Sequence, residues 1–255
     1  MNIASVRLVH TAAMIAGLAA ASGLRAEPNR AEELEQLRIN TGYIIEAGEF
    51  EVNIVPSHFD YADQRQQDVE AELEYAITDR LMVEIEVPYR WLSLDGPDQD
   101  SDGARNIELG AKWLMAEGES HAASIGVGVA LPAGHDRPDI ASDLWGVDVS
   151  IPLTYRFPNQ PMSLHVEFGA EWREQQGLEE QMINVAVERR PEGSNVTVQL
   201  GSNFIREDGD LEAYLIPAFE IAATPVPFQF GLGVAAGLTS DSADWGLLMD
   251  FEVEF

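Results

Sequence analysis

Apolar and polar residues alternate along most of the chain. The alternation is clearest in residues 81–91, where Val83 and Ile85 lie on one side and Glu84 and Glu86 lie on the other. A two-residue period is typical of a β-strand with two different faces. The pattern recurs in twelve segments, at residues 49–60, 67–78, 80–92, 104–116, 121–131, 144–157, 162–173, 181–190, 195–205, 211–222, 228–238 and 245–255. The chain is therefore predicted to be all-β, with about twelve strands.

The links between the predicted strands differ in length in a regular way. Short turns follow every second strand, as at residues 78–79 and 159–161, whereas residues 95–103 and 132–142 form longer links. Outer-membrane barrels have short turns on the periplasmic side and longer loops on the other side. The order of the links therefore predicts a closed antiparallel transmembrane β-barrel, with the short turns facing the periplasm.

Large apolar residues occupy one face of nearly every predicted strand, and aromatic residues gather near both strand ends. Those near the loop end are Phe59, Trp91, Trp145, Trp172, Phe204 and Trp245, and those toward the turn end are Trp113, Tyr75, Tyr155, Phe157 and Phe228. Two aromatic belts are typical of residues at the two membrane interfaces. A soluble β-sandwich or lipocalin-like barrel also alternates, but its polar outer face would mix Lys with Glu, and Lys112 is the single lysine here. We therefore expect the apolar face to meet lipid.

The first 26 residues have the pattern of a secretory signal peptide. Arg7 precedes an apolar run of mostly small residues that ends at Leu24, and small residues follow where a signal peptidase reads the chain. The run is shorter than the roughly 20 residues that a membrane-spanning helix needs. We expect a cleaved signal at residues 1–26, an N-terminal segment at residues 27–48, and the barrel at residues 49–255. The N-terminal segment is expected in the periplasm or folded into the lumen.

The composition excludes several classes of function. The chain has 44 acidic and 15 basic residues and a net charge of −29, which excludes a general affinity for nucleic acid or anionic surfaces. It has no cysteine, which excludes disulfides and thiolate metal sites. No spacing typical of metal ligands occurs, no cofactor is predicted, and no residue is assigned a catalytic role.

The last predicted strand ends in Phe255, with Phe251 and Val253 on the same face. Such a strand resembles the recognition strand of the machinery that assembles outer-membrane barrels. The expected partners are therefore that machinery, outer-membrane lipid and a small-molecule permeant. The expected location is the bacterial outer membrane.

Four stretches of the chain carry a resemblance to a known family. Residues 75–89 combine a tight turn with an alternating strand that ends in Pro-Tyr, and further matches lie at residues 45–51, 109–113 and 131–134. In these stretches the chain resembles the outer-membrane transporters named for the meta-cleavage pathway of phenol degradation. The resemblance implies a barrel that passes small molecules, hydrophobic or aromatic ones among them, and it implies no catalytic residues.

With the apolar face toward lipid, the alternate residues line the lumen, and many of them are acidic. Because the last strand of a barrel closes against the first, acids of both strands and of their neighbours should gather toward the turn end. This predicted acidic cluster comprises Glu49, Glu51, Glu72, Glu74, Glu84, Glu86, Glu252 and Glu254. The predicted inward bases are Arg90, Lys112, Arg156, Arg173 and Arg190. Crowded carboxylates attract cations, so we predict a cation-favouring channel.

Other interpretations stay open at this point. Acids that pair with the inward bases would leave a packed lumen, and the protein would then be a closed structural or scaffold barrel. A lipid hydrolase is a further alternative, for which His165 has Ser163 and Glu167 beside it on one face. Small inward residues such as Gly126 and Gly128 leave room for a passage or for side chains that pack across them.

Overall fold

The computed structural model describes residues 41–255, apart from residues 63, 95–100, 133–143, 175–176, 208–209 and 224–226. These residues form one antiparallel sheet that closes into a barrel, because β1 pairs with both β2 and β13. The strands are β1 (Phe50–Asp60), β2 (Gln64–Thr78), β3 (Leu81–Leu94), β4 (Ser101–Ala104), β5 (Ile107–Gly118), β6 (His121–Leu131), β7 (Gly146–Arg156), β8 (Met162–Arg173), β9 (Gly177–Arg189), β10 (Val196–Glu207), β11 (Asp210–Ala223), β12 (Phe228–Gly237) and β13 (Trp245–Glu254). The predicted signal peptide lies outside the described residues. Among those residues, no helix is long and apolar enough to cross a membrane.

Strands β4 and β5 lie end to end against β3 and together occupy one strand position. The barrel wall therefore has twelve strand positions. The break between β4 and β5 falls at Arg105 and Asn106, opposite Pro88 of β3. Proline has no N–H to donate to a neighbouring strand, which explains an interruption of the ladder at this point. The predicted all-β barrel of about twelve strands is therefore confirmed.

The exposed fractions of neighbouring side chains show which face is outside. Leu73 is 44% exposed and Trp113 is 52% exposed, whereas the adjacent Glu74 and Lys112 are 2% and 4% exposed. A continuous apolar outer surface is unfavourable in water but is the surface that a transmembrane barrel presents to lipid. The predicted transmembrane orientation, with the apolar face toward lipid, therefore holds.

One residue of the predicted aromatic belts lies on the other face. Phe59 is 2% exposed and points inward, where its ring packs edge-on against Tyr214 at a centroid distance of 5.9 Å. The assignment of Phe59 to the aromatic belt is wrong, because Phe59 lies on the same face of β1 as Glu51, and that face points inward. The buried residues around Phe59, which we call the apolar cluster, are Phe59, Tyr214, Ile216, Ala235, Ala243 and Leu248.

The apolar cluster is completed by the loop that joins β12 to β13. The N–H of Ala243 donates a hydrogen bond to the Tyr214 hydroxyl at 3.0 Å. Ser242 Oγ accepts from the N–H of Ala213 at 2.8 Å and donates to its carbonyl at 2.9 Å. The loop therefore folds into the barrel and fills the loop end of the lumen beside β1 and β11 to β13.

Candidate functional site

One row of inward residues, paired from strand to strand, runs round most of the barrel. We call it the acidic row, because seven of its nine positions are Glu or Asp. Its members are Glu254, Glu51, Glu74, Glu84, Gly110, Gly128, Asp148, Glu171 and Glu180. Because the strands of a barrel tilt, the row begins at the turn end of β13 and reaches the loop end of β8 and β9. Carboxylates therefore follow the lumen from one end to the other.

Carboxylates from neighbouring positions cover the two glycines of the acidic row. A Cβ atom at Gly110 would collide with the Glu84 carboxylate, and one at Gly128 would collide with those of Glu108 and Asp148. The room expected at Gly128 is thus filled by acidic side chains. Carboxylate side chains therefore continue the row across β5 and β6.

Two groups of three carboxylates lie on β2, β3 and β5. One oxygen from each of Glu72, Glu74 and Glu84 lies within 4.8 Å of the other two, and the same holds for Glu84, Glu86 and Glu108. Two ionised carboxylates at this distance repel each other by about 3.5 kcal/mol at an effective dielectric constant of about 20. Repulsion within each group is therefore substantial wherever two of its carboxylates are ionised.

Two amides hold the buried acids of β1 and β13. Glu51 and Glu252 are 5% and 4% exposed. Asn53 Nδ2 donates to Glu51 at 2.8 Å, and Gln229 Nε2 donates to Glu252 at 2.5 Å. The amide oxygens of Asn53 and Gln229 are buried with no donor among the described residues. The inner wall formed by β1, β12 and β13 is therefore rich in side-chain oxygen atoms.

Three of the predicted inward bases lie on β3, β5 and β8. Arg90 donates two hydrogen bonds to Asp68, at 2.8 and 2.9 Å. Arg173 donates to Glu171 at 2.8 Å, at the loop end of the acidic row. Lys112 is buried opposite Met82 of β3. The two arginines neutralise part of the acidic wall near the loop end.

The remaining predicted charges lie at the turn end. The Arg156 guanidinium lies 4.4 Å from the centre of the Tyr43 ring. Arg190 Nε donates to the Thr197 hydroxyl at 2.9 Å. Glu49 precedes β1, and its carboxylate accepts a hydrogen bond from the backbone N–H three residues before it, at 2.9 Å. These groups surround the turn-end opening.

Residues 41–49 cross the turn-end opening. The Gly42 N–H donates to Thr154 Oγ1 of β7 at 2.9 Å, and the Gly48 N–H donates to the Ala76 carbonyl of β2 at 2.8 Å. Strands β2 and β7 are well separated in the strand order around the barrel wall. The segment therefore spans the opening between them, and we call it the crossing segment. Residues 27–40 of the predicted N-terminal segment lie outside the described residues.

His165 of β8 connects Thr154, which binds the crossing segment, to Glu188 of β9. His165 is 1% exposed, with Nδ1 3.0 Å from Thr154 Oγ1 and Nε2 3.2 Å from Glu188 Oε2. Glu167, which was predicted to flank this histidine in a hydrolase, instead accepts a hydrogen bond from Asn184 at 2.7 Å. The chain of contacts through Thr154 therefore anchors the N-terminal segment to the wall.

The last strand closes the barrel through aromatic contacts. Phe255 stacks on Phe50 of β1 with ring centres 4.5 Å apart, and Phe251 packs against Phe230 of β12. Val253 pairs with Val52 of β1. The role of this strand as an assembly signal stays a prediction.

The predicted acidic cluster leaves out three inward residues that lie beside the acids of the lumen wall, namely Asn53, Glu108 and Asp148. The alternation of their strands places them inward, but their distance from the other acids depends on strand register. The length of a turn fixes the register of its hairpin. The short turns near residues 79 and 119 therefore carry the information about which of these acids lie opposite one another.

Comparisons with known proteins identify the fold. A family model described as HAEPLYID-like matches residues 44–137. The COG4313 outer membrane channel from Pseudomonas putida F1 is similar with a TM-score of 0.66 at 14% identity, over 90% of this chain and 100% of that one. The KdgM porin has a TM-score of 0.54 at 8% identity, over 80% of this chain and 99% of that one.

The β domain of the Bordetella autotransporter BrkA is also similar, with a TM-score of 0.52 at 12% identity, over 82% of this chain and 100% of that one. No curated protein sequence matches. The narrower resemblance to the phenol meta-cleavage family is not confirmed by these matches. The fold and the apolar exterior are those of a bacterial outer-membrane β-barrel.

Proposed function

We propose that this chain is an outer-membrane channel for small solutes and that its lumen favours cations. The acidic row carries the proposal, because its carboxylates follow the lumen from Glu254 at the turn end to Glu171 at the loop end. Carboxylates that line a pore attract cations and repel anions. The apolar wall of the barrel strengthens their field, because it is a poor dielectric screen.

Two parts of the chain restrict the lumen, which favours a small permeant. Residues 41–49 span the turn end, and the apolar cluster fills the loop end beside β1 and β11 to β13. The proposed route follows the acidic row, which lies apart from the apolar cluster. The resemblance to the phenol family implies aromatic permeants, and a positively charged aromatic amine would suit both that resemblance and the acidic route.

A reversal-potential measurement tests the proposal. In a planar bilayer with a tenfold KCl gradient, we expect K⁺ to permeate in preference to Cl⁻. The double variant Glu51→Gln and Glu74→Gln should reduce this preference, because it removes two neighbouring charges of the acidic row. The matched control, Glu119→Gln with Glu192→Gln, changes two exposed residues of the turns and should leave the preference unchanged. Clear Cl⁻ selectivity of the unaltered protein would overturn the proposal.

A closed structural barrel is the second candidate, and the apolar cluster together with the crossing segment favours it. The two candidates differ in conductance, because a closed barrel gives no current steps even after residues 41–48 are deleted. A lipid hydrolase built on His165, Ser163 and Glu167 gains no support, since the ring nitrogens of this buried histidine contact Thr154 and Glu188 instead.

A further inference from the structure

We infer that the crossing segment is a latch, which obstructs the turn-end opening when it is docked on β6 and β7 and frees the opening when it is released. The inference rests on the proposed function, because it names the step that regulates passage along the acidic row. One end of the segment is continuous with β1 and binds β2 through Gly48. The other end is docked through Thr41 and Gly42.

Gly42 fits closely against two paired residues of the inner wall, Ala122 of β6 and Thr154 of β7. Thr41 is 2% exposed and Gly42 is also buried. A Cβ atom at Gly42 would lie 2.5 Å from the Ala122 carbonyl oxygen and 3.0 Å from the Thr154 nitrogen. Both are backbone atoms of paired strands and cannot move aside. Close docking at this position therefore requires glycine.

The Tyr43 side chain makes the docked form reversible. Its ring lies 4.4 Å from the Arg156 guanidinium, which attracts it through a cation–π contact. Its hydroxyl is buried and has no hydrogen-bond partner among the described residues. A buried hydroxyl without a partner is unfavourable, and release of the segment would expose it to water. The docked form therefore carries a cost that the released form lacks.

Gly48 is a suitable hinge for the release. Its φ of +91° lies in the left-handed region that favours glycine, and no atom lies within 4 Å of the place where a Cβ would be. Changes at a few backbone angles are enough to move such a segment. Rotation at Gly48 would move residues 41–45 away from β6 and β7 and leave the pairing of the wall strands intact.

The segment lies across the turn-end entrance of the acidic row. The Gly48 N–H binds the Ala76 carbonyl of β2, two residues beyond Glu74 of the row. From there the segment crosses to Thr154 of β7. A solute that moves along the acidic row therefore meets the crossing segment at this end.

Single-channel recording and hydrogen exchange on the same variants test the latch. The side chain of Gly42→Leu would overlap the backbone of β6, so this variant cannot dock. We expect residues 41–45 to exchange their amide hydrogens at least tenfold faster and the unit conductance in KCl to rise at least twofold. Ala47→Leu adds a side chain at an exposed position of the same segment and is the matched control. It should behave like the unaltered protein in both measurements.

Tyr43→Phe provides a test of opposite sign. It keeps the ring over Arg156 but removes the buried hydroxyl, so residues 41–45 should exchange severalfold more slowly and large openings should become rarer. A folding defect cannot slow the exchange, so this variant keeps the test decisive. Each variant is first checked for a folded barrel by the heat-dependent shift of its mobility in electrophoresis.

The outcomes distinguish the latch from the proposed function. Faster exchange in Gly42→Leu without a rise in conductance would overturn the latch, and so would an equal rise in Ala47→Leu. K⁺-selective steps of one size in all variants would still support the channel. Larger steps in Gly42→Leu that prefer Cl⁻ would support the latch and overturn the cation preference. Absence of current steps in every variant would overturn both.

Discussion

The barrel interior contains two regions that are built in different ways. The apolar cluster fills the loop end beside β1 and β11 to β13, with Leu248 fully buried and the rings of Phe59 and Tyr214 in contact. The acidic row occupies the wall from β13 through β3 to β9, where carboxylates face one another. The first region is held by close packing, whereas the second leaves like charges that attract cations.

Under the proposed function, one barrel divides its lumen between stability and transport. The packed region supplies stability, since burial of apolar side chains is favourable. The acidic region costs stability through repulsion, and such a cost is typical of functional sites. Variants in the two regions should therefore have opposite effects on stability and on ion passage.

The largest effect is expected from a cavity in the apolar cluster. Leu248→Ala should lower the free energy of unfolding by about 2–5 kcal/mol, because the buried side chain leaves a void. Leu215→Ala, at a lipid-facing position that is 39% exposed, should cost clearly less because lipid can fill the space. Urea unfolding in micelles, followed by tryptophan fluorescence, measures both changes. Equal losses would show that the cluster is not a packed core.

A charge on the outer face should have the next largest effect. Leu109 is 45% exposed on β5, beside the acidic row but facing lipid. Leu109→Arg should cost about 2–4 kcal/mol, as expected for an arginine near the bilayer midplane on the lipid face of a barrel. Gln199→Arg, at an inward position of β10, is the control and should cost little. Unfolding in lipid vesicles tests the pair, and an unaffected Leu109→Arg would reverse the assigned orientation.

The anchor of the crossing segment should contribute a smaller effect. Thr154→Val removes the acceptor of the Gly42 N–H, and a hydrogen bond of this kind contributes about 1 kcal/mol. Residues 41–49 should then exchange their amide hydrogens about fivefold faster, by the same free-energy difference. Thr197→Val removes a comparable hydroxyl that binds Arg190 and should leave that exchange unchanged. Hydrogen exchange with mass spectrometry measures both, and equal exchange in the two variants would contradict the anchor.

The smallest effect is expected from loss of one charge in the acidic row. Glu51→Gln should lower the ratio of K⁺ to Cl⁻ permeability by roughly twofold, or about 0.4 kcal/mol. The free energy of unfolding should stay the same or rise, because repulsion from Glu74 and Glu254 decreases. Reversal potentials and urea unfolding measure the two quantities. A large loss of stability would show that Glu51 is structural.

The sequence predicts most of the fold but less of the site. Alternation locates the strands and their outer faces, because one side of each strand meets lipid and the other meets the lumen. The aromatic-belt prediction fails at Phe59, because strict alternation from Glu51 places this residue on the inner face of β1. Alternation does not predict the break between β4 and β5, which depends on how Pro88 aligns with the neighbouring strand.

The carboxylate groups depend on contacts between strands that are distant in the sequence. Alternation indicates that Glu84 and Glu108 both point inward, but the register decides that they meet. The buried oxygen of Asn53 cannot be inferred from the sequence either, since it depends on where the amide nitrogen finds an acceptor.

Thiol accessibility tests the central claim most directly, because the chain has no cysteine of its own. Ser150 faces the lumen beside the acidic row, and the adjacent Ile151 faces lipid with 38% exposure. In vesicles, a cationic methanethiosulfonate should modify Ser150→Cys about tenfold faster than an anionic one, because the acidic field concentrates cations. Ile151→Cys should react with neither. Faster reaction of the anionic reagent at Ser150→Cys, or modification of Ile151→Cys, would contradict the account.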